Sequence, residues 1–118
     1  MIIMIAYLTI AFFTTVATTT VADADSARVA YSNCLVEVTT AQLDEKVGTS
    51  SFKKAAQSAC LAERNGMIAT IKKDELAFGS SDSEATSFAT EEADGVLFSF
   101  TDGYAGYASS NTRPVKSE

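Results

Sequence analysis

Apolar residues recur at steps of three and four along three stretches of this chain, the spacing that lines one face of an α-helix. In the first stretch Ala27, Ala30, Tyr31, Cys34, Val38 and Ala41 share a face, with Leu35, Gln42 and Leu43 at its edge. Asp25 or Ser26 can cap it by accepting from the free amides of the first turn, and Gly48 is the natural C-terminal stop. The β-branched pair Thr39-Thr40 loses rotamer freedom in a helix. A bend or restart fits there, with Thr39-x-x-Gln42 as its capping box. The second stretch is opened by Ser50 or Ser51, and Phe52, Ala56, Ala59, Cys60, Met67, Ile71 and Phe78 follow one face to Gly79. Asn65-Gly66 is a turn-prone pair inside it. The apolar phase nevertheless continues from Cys60 to Met67 to Ile71, which predicts one long helix with a weak point costing about 1 kcal/mol relative to alanine. The third stretch follows Ser80-Ser81-Asp82-Ser83 and starts with the capping-box match Ser81-x-x-Glu84. Ala85, Phe88, Ala89, Val96, Phe100, Tyr104 and Tyr107 lie on one face, Leu97 widens it, and Glu91, Glu92 and Asp94 stay polar. Gly95, Gly103 and Gly106 lower its propensity, so its last turns are expected to fray.

Three amphipathic segments joined by short turns predict an all-α fold, a three-helix up-down-up antiparallel bundle over residues 23–110. Residues 111–118 are polar, carry the only proline, Pro114, and read as a flexible tail. In an antiparallel hairpin, residues equidistant from the turn face each other. Cys34 lies 14 residues before Gly48 and Cys60 lies 10 after Ser50, level to within about one turn of 3.6 residues. A disulfide there closes a loop of about 27 residues and adds roughly 3–4 kcal/mol on the chain-entropy model. A mature domain of roughly 94 residues is near the small end for a self-sufficient core, which gives the staple a physical purpose. The small residues Ala55, Ala56, Ala59 and Ala62 let a neighbouring helix approach closely.

The N-terminus has a different character. Met1 to Phe13 are nearly all apolar, a Thr/Ala/Val stretch follows, and then Asp23 and Asp25. An apolar core of about a dozen residues followed by small ones is the build of a secretory signal peptide. Thr20-Val21-Ala22 and Ala22-Asp23-Ala24 both offer small residues for cleavage, so residues 1–22 are expected to be a signal helix. The competing reading is an uncleaved anchor, since Ile2 to Ala22 is about the 20 residues a spanning helix needs. Six threonines between residues 9 and 20 weaken it. In both cases the acidic remainder is expected outside the cytoplasm, where disulfides persist; a third reading is a cytoplasmic protein that buries an N-terminal helix. The expected location is periplasmic or secreted.

Composition narrows the chemistry. A net charge of −6 argues against nucleic acid, which needs a basic face, and against an anionic lipid surface. A membrane is a partner only if residues 1–22 are retained. The chain has no histidine, which removes the commonest general base and the commonest metal ligand. The doublets Asp44-Glu45, Asp74-Glu75 and Glu91-Glu92 point about 100° apart on helices and do not converge as an acid/base pair must. No EF-hand loop gathers oxygens for a divalent cation, and no serine has a base to activate it. No catalytic residue, cofactor or metal site is expected. Two cysteines without CxxC spacing read as a structural pair. The remaining feature is the aromatic group Phe98, Phe100, Tyr104 and Tyr107. Ordinary core packing is the first reading of this group; the second is that rings on more than one face leave one exposed, and exposed rings mark partner sites. Phe98 and Tyr107 are the candidates.

Cys34-Leu35-Val36, Gln42-Leu43-Asp44-Glu45-Lys46, Cys60-Leu61-Ala62-Glu63-Arg64, Phe78-Gly79-Ser80-Ser81-Asp82 and Thr112-Arg113-Pro114 resemble small exported helical proteins of Gram-negative bacteria with no assigned function. The resemblance implies a periplasmic helical domain with one disulfide and carries over no catalytic residue. The function expected from the residues is a non-enzymatic exported module that binds another protein of the cell envelope. The rival is a structural, membrane-anchored envelope protein that keeps residues 1–22.

Overall fold

The computed structural model describes residues 23–118, so the signal or anchor segment expected at residues 1–22 lies outside the described residues. These residues form an all-α fold of four helices, α1 Ala24–Asp44, α2 Thr49–Ser58, α3 Leu61–Ala77 and α4 Asp82–Ser110. Phe52 stacks on Tyr104, Arg64 pairs with Asp94, and Lys72 pairs with Asp82. Rising numbers therefore meet falling ones, and α2 and α3 both run antiparallel to α4. Arg28 meets Glu92 and the Val47 carbonyl meets Tyr104, so α1 runs alongside α4 in the same direction. The core between them holds Tyr31, Leu35, Leu43, Phe52, Met67, Ile71, Phe100 and Tyr104. No helix among the described residues is long and apolar enough to cross a membrane.

The count of four rather than three is a correction to the expected bundle. The middle leg breaks at Ala59–Cys60, where Ala59 is extended and Cys60 is left-handed with φ 57°. Asn65-Gly66, the local weak point, stays inside α3. Local propensity loses there to tertiary structure: Cys60 is bonded to Cys34 of α1, Cα to Cα 6.0 Å. Thr39-Thr40 does not interrupt α1 either.

Other boundaries shift for identifiable reasons. Asp23, two residues before the expected cap, accepts from the Ser26 amide at 2.7 Å and opens α1. Hydrogen bonding to this fully exposed carboxylate holds its pKa below the usual value. The stop of α1 is Lys46, not Gly48. Lys46 takes a left-handed φ of 55° while its amide reaches the Leu43 carbonyl and the Val47 amide reaches that of Gln42, a Schellman motif built on a lysine. Gly48 instead precedes the first turn of α2. The same motif ends α3 on Gly79, φ 99°. The capping box of α4 forms as its residues predict: Ser81 Oγ accepts from the Glu84 amide, and Glu84 accepts from the Ser81 amide.

The buried face of α1 is Tyr31, Leu35, Val36, Thr39 and Leu43, while Ala30 and Ala41 are exposed. It lies about one residue, or 100°, round from the stripe centred on Cys34 and Val38. Burial scales with apolar area, so leucine and tyrosine win the interior from alanine. On α4 the stripe Ala85, Ala89, Ala93 is fully buried, and Phe88 is left at its edge, 44% exposed. Helix α4 runs unbroken to Ser110. A Cβ at Gly103 would stand 3.4 Å from the Tyr107 ring, so this glycine lets the ring lie against the helix. Beyond Asn111 the residues expected as a flexible tail run back along α1. Asn33 donates to the Ser117 carbonyl at 2.9 Å and accepts from its amide at 2.8 Å. Arg113 pairs with Asp44 and Lys116 with Glu37.

Candidate functional site

Helix α4 sets the geometry of the aromatic cluster. Phe100 and Tyr104 point into the core, and Tyr104 anchors α2 twice. Its ring stacks on Phe52 with centroids 3.9 Å apart and planes 10° from parallel. Its hydroxyl donates to the Val47 carbonyl at 2.6 Å. Burial of that hydroxyl raises its pKa. With α2 fixed in this way, Phe98 lies on the outer side of α4, 64% exposed. It lines an open groove of about 300 Å³ between α2 and α4, with Leu97 half-buried beside it, Lys53 and Gln57 from α2, and Asp94 and Thr101 from α4.

One end of the groove is braced by an ion pair. Arg64 Nη2 donates to Asp94 at 2.5 Å, and the Arg64 side chain is 18% exposed. Burial opposes its charge, but Asp94 and the Tyr31 hydroxyl outweigh that and raise the pKa further, so it stays cationic. Its Nη1 is buried without a partner among the described residues.

Tyr107 does not join Phe98. The two are nine residues apart on one helix, about half a revolution round, and Tyr107 packs half-buried against the core edge. Phe78, read as a core residue, is 87% exposed. It is the cap residue of α3, still helical in backbone and in phase with Ile71, but it stands at the very end of the helix next to the turn, where its ring is left uncovered. With Leu76, 42% exposed, it forms an apolar tip at the α3–α4 turn. The signal that could have found it is its position immediately before Gly79.

Cys34 and Cys60 form the disulfide. The Glu63 carboxylate lies within 4.8 Å of both sulfurs, but covalently paired sulfur does not offer the thiolate that binds a metal. A second cleft, of about 370 Å³, opens where Leu43, Val47 and Tyr104 meet Arg113. Arg113 is engaged there with Asp44 at 3.0 Å. Of the acidic doublets, Asp44 is held by Arg113 and Glu92 by Arg28, each drawn to a different side of the molecule. No protein-family model, curated protein or solved structure matches the chain, and the site rests on its geometry alone.

Proposed function

We propose that this chain is a non-enzymatic, exported helical module that binds another protein of the cell envelope through the groove between α2 and α4. The observation that carries the reading is Phe98. A ring 64% exposed beside half-buried Leu97, with Lys53, Gln57 and Thr101 around it, has the make-up of an interface centre, an aromatic anchor inside a polar rim. Export is supported by the apolar N-terminal run and by a disulfide of the kind that persists outside reducing compartments. The fold behind the groove is a bundle of three legs whose middle leg is two helices.

The test is capture from periplasmic extract by the full chain, compared with two charge-introducing variants. Phe98→Asp should reduce recovery of a defined partner at least tenfold with an unchanged melting temperature. Phe78→Asp, at the far tip, should leave recovery intact. Equal recovery by the unmodified chain and Phe98→Asp sinks the reading.

A further inference from the structure

The break between α2 and α3 has no local cause. Ser58-Ala59-Cys60-Leu61-Ala62 contains neither proline nor glycine, and alanine and leucine are strong helix formers. Cys60 occupies the cap position of α3 without a side-chain cap bond. The amides of Cys60, Leu61, Ala62 and Glu63 donate no hydrogen bond among the described residues, the first of the helix running from the Arg64 amide to the Cys60 carbonyl. A left-handed backbone at a non-glycine residue is disfavoured. The covalent constraint acting on it is the bond from Cys60 to Cys34, beside the Phe52–Tyr104 stack that holds α2.

Everything else in the middle leg suits one helix. Phe52 to Met67 and Ala56 to Ile71 are each fifteen residues apart, four turns plus about 60°, so in one continuous helix the faces that α2 and α3 bury would fall on the same side. Residues 49–77 number 29, the length of α4, along which both pieces run.

We infer that the Cys34–Cys60 disulfide is a conformational switch, and that its reduction lets residues 49–77 close into a single continuous helix. The reductant is a dithiol. Its thiolate attacks one sulfur, breaks the S–S bond and forms a mixed disulfide. Its second thiol then displaces the protein sulfur. Two electrons pass to the protein, two protons end on Cys34 and Cys60, and the reductant leaves as a disulfide. Cys60, released, takes right-handed helical backbone, and the amides of Cys60, Leu61, Ala62 and Glu63 bond to the carbonyls of Ala56, Gln57, Ser58 and Ala59.

Amide hydrogen exchange on the full chain, oxidised and in dithiothreitol, tests this with a sign that simple loosening cannot imitate. Closure should slow exchange at Leu61, Ala62 and Glu63 at least tenfold on reduction. The Cys34→Ser/Cys60→Ala variant should show the same slow exchange without reductant. The Cys34→Ser/Cys60→Gly variant should show less slowing, because glycine takes the left-handed turn without a steric penalty and is a poor helix former. Unchanged or faster exchange at these three amides on reduction overturns the proposal, whether the loss is confined to them or extends through the molecule.

Discussion

At the scale of single residues, the informative positions are those where backbone or burial runs against residue type. Lys46 ends α1 in a left-handed conformation that glycine adopts without a steric penalty. Lys46→Gly should therefore stabilise the protein by about 0.5–1 kcal/mol, read from the urea midpoint, and a loss of stability would mean that the lysine stem contributes packing. Thr39 is the reverse case, fully buried with a hydroxyl that has no partner among the described residues. Two neighbouring phenylalanines separate a surface role from a core role. Phe100 is 8% exposed and Phe98 64%, a difference set by two positions on a helix, or about 200°. Truncating Phe100 to alanine should cost roughly 3–5 kcal/mol, while Phe98→Ala should change stability by less than about 1 kcal/mol. Chemical denaturation of the two variants decides. If Phe98→Ala unfolds as readily as Phe100→Ala, the groove is part of the core and the binding reading loses its anchor.

At the scale of elements, the C-terminal segment is the one whose behaviour its composition conceals. Residues 112–118 form no helix, yet Asn33 clamps the Ser117 backbone from both sides and two cations meet acids of α1. Exposed pairs of this kind are each worth about 0–1 kcal/mol, so the strap should detach locally without unfolding the bundle. Asn33→Ala should speed proteolysis near Lys116 several-fold and leave the melting temperature within about 1 °C; a large thermal shift would make the strap part of the core. What the sequence made legible follows the range of the forces involved. The capping box at Ser81 and Glu84 was readable because both partners lie within one turn. The inward course of Phe100 and Tyr104 was readable because large rings dominate their face. The α1 face was misplaced because alanine counts equally with leucine in a periodicity and not in buried area. The break at Cys60 was invisible because its constraint comes from Cys34, 26 residues away, while the visible breaker at Asn65-Gly66 is overruled by packing of Met67 and Ile71. The groove was half legible: the phase placed Phe98 outside, but Lys53 and Gln57 reach it only through the Phe52–Tyr104 stack.

At the scale of the whole molecule, a domain this small has little stability to spare, and the disulfide is a contribution that can be removed without emptying the core. For a separation of 26 residues the chain-entropy model gives about 3.5 kcal/mol. The loss observed should depend on what replaces Cys60, because the residue there chooses between two conformations of the middle leg. In Cys34→Ser/Cys60→Gly the broken leg is retained, the left-handed penalty of about 1–2 kcal/mol is relieved, and the loss should be about 2 kcal/mol. In Cys34→Ser/Cys60→Ala the leg closes. Four amides, those of residues 60–63, gain carbonyl partners at roughly 1 kcal/mol net each, and alanine is favoured over glycine in a helix by about 1 kcal/mol. The alanine variant should therefore be the more stable of the two, by at least about 1 kcal/mol in urea denaturation. If the break survives in both variants the order reverses, since a left-handed residue costs alanine about 1–2 kcal/mol that glycine is spared. A more stable glycine variant would mean that packing alone fixes the break, with α2 and α3 separate helices in either redox state.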